Sequence, residues 1–510
     1  MRVLMLGWEF PPFMAGGLGT AVFGLTRALN RAGHQVLYVL PKPTGGAIAE
    51  HVALYGSDAI AELLQGRRTG NVTLGDPFEG PTPLAGDPAA TPSSASPAEP
   101  GAPGTRFFPV EAPFQSSYDG GLEAAGTPEA QRLGELVRAL ARSGRGGPLG
   151  GIPTQSAETL GRLIDAGAEE PADAGDADPR PAAGPLDSAI AAAQALGRDN
   201  SQYGRDLMGD AARYAEMVAG LARTLEFDVV HAHDWLTYPA GLAVRAVSGK
   251  PMVAHVHATE FDRSGNNINQ AVYDIERAGI TAADRIIVVS KLTRELALSR
   301  YGGDEARTDV CYNGVEGNGH QPRDGSKIES NDKIVLFLGR ITMQKGPEYF
   351  VRAAARVLEK VDNVKFVVAG SGDMAVRMIE HAASLGIGHK VLFTGFLRGG
   401  DVDRVYQMAD CYVMPSVSEP FGIAALEAIK QDTPAIISKQ SGVSEVLTHA
   451  LKVDFWDVDE MANKIVAVLR HPPLSQTLRE HGPMELRALT WDGAAEKVVR
   501  TYAKAIAAPR

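Results

Sequence analysis

Short, uninterrupted apolar runs separated by stretches with apolar residues at helical spacing make up most of this chain. Residues 3–6 and 35–40 are two such runs, and between them Leu18, Ala21, Val22, Leu25, Ala28 and Leu29 recur on one helix face, with Gly33 as the stop. The pattern returns after residue 203, where Leu207, Ala211, Tyr214, Met217 and Leu221 mark a helix. Runs at 229–233, 252–257, 285–290 and 308–312 follow, and then a second set at 334–338, 366–369, 391–393, 411–414 and 435–438. A strand apolar along its whole length suits a parallel sheet covered on both faces. The alternation predicts an α/β protein of two Rossmann-like, doubly wound parallel-sheet domains facing a central cleft.

Two interruptions set the domain limits. Residues of about 50–200 are rich in Pro, Ala, Ser and Gly and bury too little apolar surface to fold alone, which predicts a mostly flexible insertion in the first domain. Within it, residues 106–110 could form one strand and 128–143 one helix. Residues 316–332 are polar and lack periodicity, which predicts a linker between a first domain at 1–315 and a second at 333–490.

Composition narrows the class. The 510 residues carry 44% hydrophobic and 22% charged residues, as a globular protein does, and a net charge of −11, which argues against coating nucleic acid. Cys311 and Cys411 each sit inside an apolar run, the setting of a buried thiol. The first apolar run is too short for a signal peptide or a membrane span. The expectation is a cytoplasmic protein.

The candidate chemistry lies at the ends of these strands, where open α/β sheets bind ligands. Gly16, Gly17 and Gly19 open the first helix, where backbone can approach an anion closely or simply make a tight turn. Gly339, Arg340 and Lys345 follow the first strand of the second domain, and a guanidinium fork with an ammonium suits a diphosphate. Residues 370–373, including Gly372, and Phe396 and Leu397 end the next strands and could line a nucleotide pocket. Glu419 and Glu427 stand on either side of a helix start at which the amides of Phe421, Gly422 and Ile423 would face an anion. His231, His233 and Asp234 close one first-domain strand, and His255, His257, Glu260 and Asp262 the next. That cluster raises a metal-dependent hydrolase as an alternative, against buried, hydrogen-bonded histidines.

Taken together, Gly16-Gly17-Leu18-Gly19, His231-Ala232-His233-Asp234-Trp235, Val256-His257, Gly339-Arg340 with Lys345-Gly346, and 419–427 resemble the retaining GT-B glycosyltransferases, nearest the glycogen-synthase-like and family 4 (group 1) members. The resemblance implies a hexosyltransferase, foremost a glucosyltransferase, that needs no metal or other cofactor. Its partners would be a nucleotide diphosphate-sugar and a carbohydrate acceptor such as an α-glucan. It implies that Arg340 and Lys345 grip the diphosphate, that His257 meets the donor sugar, and that Glu419 holds sugar hydroxyls and Glu427 the ribose. Gly17, Phe421, Gly422 and Ile423 would supply amides, Asp234 and Glu260 would face the acceptor, and a helix at 491–510 would cross back onto the first domain. Met14 stands where glycogen and starch synthases carry Lys, which leaves ADP-, UDP- and GDP-sugars open. A nucleotide-sugar epimerase on the same architecture and a non-catalytic sensor are further alternatives.

Overall fold

The computed structural model describes residues 1–11, 17–44, 51–69, 77–79, 133–134, 137–139, 184–198, 203, 206–316 and 332–508. Among these described residues thirteen strands form two sheets, parallel at every pairing. The first contains β1 (Arg2–Leu6), β2 (Gln35–Val39), β3 (Ala53–Tyr55), β4 (Val229–His233), β5 (Met252–Val256), β6 (Arg285–Val288) and β7 (Thr308–Val310), in the spatial order β3-β2-β1-β4-β5-β6-β7. The second contains β8 (Lys333–Leu338), β9 (Val364–Ala369), β10 (Val391–Gly395), β11 (Cys411–Met414), β12 (Ala435–Ser438) and β13 (Leu451–Val453), in the order β10-β9-β8-β11-β12-β13. This is the expected α/β class.

Period-two alternation explains how one strand serves two cores. Leu4 and Leu6 of β1 pack with Leu37 and Val39 of β2 under the helices Ser57–Thr69, Pro185–Leu196 and Leu207–Ala222, while Val3, Met5, Val36 and Tyr38 face the opposite layer. That opposite layer contains the helix Gly17–Arg31 and, beside it, the last helix, Trp491–Ala507. Trp491, Ala494, Val498 and Tyr502 of this terminal helix are buried among first-domain residues, so the chain's end returns to the domain in which it began. The two crossings lie side by side: Val315 pairs with Thr490, and the Val315 amide donates to the Leu489 carbonyl at 2.9 Å.

The reading of 50–200 as a mostly flexible insertion needs correction at both ends. Ala53–Tyr55 is the edge strand of the first sheet, and Ser57–Thr69 and Pro185–Leu196 are helices whose Ile60, Leu64, Ala189, Ala193 and Leu196 join the first core. Alanine is the best helix former, so the run at 189–196, which offers little apolar area per residue, also makes a slim helix able to pack closely. Residues 106–110, most of 128–143 and most of the linker at 316–332 lie outside the described residues. Leu133, Val137 and Ala139 are buried in the first core. Both cysteines are free and buried, as expected. Among the described residues no helix is long and apolar enough to cross a membrane.

Candidate active site

Each sheet reverses its winding direction once, between β1 and β4 in the first and between β8 and β11 in the second. Strand ends flanking such a reversal leave a crevice. The two crevices face each other and merge into one cleft of about 990 Å³. Its first-domain wall includes Gly17, Asp234, His257 and Arg263; its second-domain wall includes Gly339, Arg340, Lys345, Gly372, Glu419 and Gly422.

The cationic corner comes from the loop after β8. Lys345 sits in a single turn, Met343–Lys345, closed by Gly346 at φ 66 and ψ 38. Its Nζ lies 2.6 Å from Glu419 Oε2, which also accepts from Ser416 Oγ at 3.1 Å. Glu419 is itself fixed by backbone: its amide donates to the Gln440 carbonyl, and its carbonyl accepts from the Gly442 amide, both at 2.9 Å. Arg340 Nη2 donates to Gln344 Oε1 at 3.3 Å, which steadies the guanidinium beside Lys345. Carboxylate and ammonium therefore hold each other ready at the cleft's edge.

The helix Ile423–Lys430 begins after Gly422, and the amides of Phe421, Gly422 and Ile423 take no partner among the described residues. All three residues line the cleft, as do Phe396, Leu397 and Glu427. Burial raises the Glu427 pKa, and the Tyr406 hydroxyl donates to its Oε2 at 3.4 Å. Gly16 lies outside the described residues.

On the first-domain wall Asp234 has a left-handed backbone, φ 58, and its Oδ1 accepts from the His257 amide at 2.7 Å and the Ala258 amide at 3.3 Å. That strained turn holds the end of β5 against the end of β4. Burial pushes the Asp234 pKa up to about 7, opposed by those two amides and by the nearby Arg263. Burial pushes His257 down to about 3, so its ring is neutral near pH 7. His231 and His255 are buried and bonded to one another at 3.1 Å, away from the cleft.

Glu260 does not face the cleft, contrary to the acceptor-side expectation. It is 1% exposed: its Oε2 accepts from Arg263 Nε at 3.1 Å, and its Oε1 accepts from Ser264 Oγ at 2.7 Å and the Asn269 amide at 3.0 Å. A buried carboxylate needs such partners. Arg263, which Glu260 and Glu276 clamp, is the residue that reaches the cleft.

Sequence reasoning also passed over Glu9, Tyr203, Thr342 and Arg398, all of which line the cleft. Glu9 is buried and accepts from the Tyr203 hydroxyl. Its position just past the end of β1 was the available signal. Thr342 Oγ1 is buried and unpartnered among the described residues.

The domains are also tied behind the cleft. Ser418 Oγ donates to Asp262 Oδ1 at 2.6 Å. Glu445 accepts from the amides of Lys291 at 3.0 Å and Leu292 at 2.8 Å and from the Tyr312 hydroxyl at 2.9 Å, capping a first-domain helix from the second domain.

Comparison with known proteins bears on the family and the fold. The family model described as "Glycosyl transferases group 1" matches residues 321–484, "Glycosyltransferase Family 4" matches 185–317, and "Starch synthase catalytic domain" matches 2–73. An uncharacterized glycosyltransferase of Methanocaldococcus jannaschii is 32% identical over 305 residues, covering 56% of this chain and 78% of that protein. A D-inositol 3-phosphate glycosyltransferase of a Mycobacterium species is 31% identical over 268 residues, covering 48% of this chain and 60% of the relative. The solved sucrose-phosphate synthase of Thermosynechococcus elongatus superposes over the whole of both chains with a TM-score of 0.63 at 17% identity, a likeness of fold.

Proposed function

This chain belongs to the glycosyltransferases of group 1, and on that premise we propose that it is a retaining transferase moving a hexosyl unit from a nucleotide diphosphate-sugar to a hydroxyl acceptor. One observation carries the reading: Arg340 and Lys345 on one wall and the Gly17 helix start on the other border a single cleft. A diphosphate bridging them would meet two cations and a helix N-terminus at once.

The chemistry follows from where charge develops. As the bond from the anomeric carbon to the phosphate oxygen breaks, negative charge grows on the diphosphate, and cations already in place stabilise it without rearranging. Glu419, anchored by Lys345 and Ser416, is the proposed hydrogen-bond partner of the sugar hydroxyls. Phe421, Gly422 and Ile423 would give amides, Glu427 the ribose contact, and Phe396 and Leu397 a face for the base. The acceptor oxygen attacks the anomeric carbon from the side the diphosphate leaves, and its proton passes to the departing phosphate oxygen. Configuration is then kept. Asp234 is proposed to face the acceptor side, and no resident metal is proposed for this transfer. A glucosyl donor and a carbohydrate acceptor are the leading choices, in a cytoplasmic setting.

The test is a panel of UDP-glucose, ADP-glucose and GDP-mannose against maltooligosaccharides and D-inositol 3-phosphate, the latter because one relative is named for it. Product mass identifies transfer, and the anomeric proton coupling gives the configuration. An α-linked product supports the proposal. An inverted product, an epimerised free nucleotide-sugar, or turnover that ends on chelation would replace it.

A further inference from the structure

His231 and His233 of β4 and His255 of β5 share one face, the face covered by the terminal helix, and His257, one residue past the end of β5, continues the same alternation. His231 stacks on His233 with ring centroids 4.2 Å apart, and His255 on His257 at 4.1 Å. Two hydrogen-bonded chains thread them. In one, the Tyr502 hydroxyl meets His231 Nδ1 at 2.6 Å and His231 Nε2 meets His255 Nδ1 at 3.1 Å. In the other, His233 Nδ1 meets His257 Nε2 at 2.8 Å. Of the four, His257 borders the cleft.

We propose that His233 is a positioning residue that holds His257 as the Nδ1–H tautomer, so that His257 donates a hydrogen bond to a hydroxyl oxygen of the transferred sugar. His233 is 0% exposed, and its Nε2 is buried with no partner among the described residues. A neutral imidazole carries one N–H. A proton on Nε2 would bury an unpaired donor, which proteins tolerate less often than an under-used acceptor. The proton therefore belongs on His233 Nδ1, where His257 Nε2 accepts it. His257 must then carry its own proton on Nδ1. That atom takes no partner among the described residues and is not sealed from the cleft. Burial lowers the pKa of both rings, and the neighbouring His231 and His257 rings lower that of His233 further, so both stay neutral at working pH and the choice of tautomer persists.

His231, His233 and His255 also place ring nitrogens within 4.8 Å of one another, as a metal triad would. Both His231 nitrogens are already bonded, and among the described residues no carboxylate joins the group to offset a divalent charge. The hydrogen-bonded ladder satisfies these groups without that cost.

The inference rests on the transferase reading for its sugar, but its first test needs no substrate. The full chain labelled with ¹⁵N-histidine, with His257 assigned by loss of its signals in His257→Gln, should show Nδ1 in the protonated range and Nε2 in the unprotonated range. His233→Leu should turn His257 into a mixture of tautomers. His233→Asn, whose amide nitrogen stands where Nδ1 stood, should keep the wild-type pattern. With whichever of UDP-glucose, ADP-glucose or GDP-mannose the wild type turns over, His233→Leu should raise KM about three- to tenfold. Binding of the matching nucleoside diphosphate should stay within about twofold of wild type, and His233→Asn should restore KM. A wild-type His257 protonated at Nε2, equal loss of diphosphate and sugar-nucleotide binding, or equimolar zinc shifting the His233 and His255 signals would each overturn the proposal. If none of the three donors is used, the transferase reading fails while the tautomer result still decides this one.

Discussion

Gly346 links the cationic corner to the rest of the second domain, and replacing it by Ala tests how tightly the site is built. Its φ of 66 is left-handed, and an added Cβ would overlap the Pro415 carbonyl oxygen and stand 3.1 Å from the carbonyl carbon. The left-handed backbone costs about 1–2 kcal/mol for a residue with a Cβ. Overpacking against a fixed carbonyl adds about 1–3 kcal/mol. The sum is about 2–5 kcal/mol, relieved only if the turn moves away from Pro415 and takes Lys345 with it. A shift of about 1 Å would take Lys345 Nζ out of hydrogen-bond reach of Glu419, now 2.6 Å away, and misplacement of that size costs about 100-fold in rate. Gly249 is the control: its φ is also 66, but nothing lies within 4 Å of an added Cβ. Gly249→Ala should lose about 1–2 kcal/mol and no activity. Urea unfolding followed by circular dichroism, with kcat and KM for the donor, measures both. If Gly346→Ala matched Gly249→Ala in stability and turned over at the wild-type rate, the claim that packing holds Lys345 in register would be wrong.

Lys345→Ala and Glu419→Ala should each keep the far-ultraviolet circular dichroism of the native chain while lowering kcat at least about 100-fold, because each removes one half of the pair at the reacting corner. Asp234 gives a pH signature. Its pKa is raised from 3.8 to about 7, so the native state binds the extra proton in that window and the stability it contributes is lost as pH rises through about 7. Asp234→Asn should gain stability relative to wild type from pH 4 to pH 7 and show a constant difference above, read from melting curves at each pH. Glu445→Ala removes the cap on the helix Lys291–Ser299 and a tie between the domains; a loss of about 1 kcal/mol and faster proteolysis at the domain junction are expected.

The strands were legible where the chemistry is simplest. Residues 3–6 and 411–414 are apolar on both faces because helices cover both, and a short continuous apolar run bounded by turn residues fits little besides a buried parallel strand. Ala53–Tyr55 could not be read because it falls in a stretch whose overall composition is that of unfolded chain, and Leu451–Val453 because Lys452 splits its three residues, whereas the equally short edge strand Thr308–Val310 runs on into Cys311 and Tyr312. Pro185–Leu196 was hidden because its small alanines, which let it pack against Leu207–Ala222, give the same composition as an unfolded stretch. At the site, motif position placed Arg340, Lys345, Glu419 and His257 on one cleft. It could not tell which way Glu260 turns, since that depends on Arg263 and Glu276, the latter brought in from a later helix. Glu9 and Tyr203 meet across almost two hundred residues, a contact no local pattern encodes.

The most direct measurement is a structure of the full chain with the nucleoside diphosphate of its donor bound. The diphosphate oxygens are expected within hydrogen-bond distance of Arg340 and Lys345 on one side and the Gly17 amide on the other, with the ribose at Glu427. A diphosphate bound elsewhere, or held by one domain with the other wall out of reach in every closed form, would contradict the account.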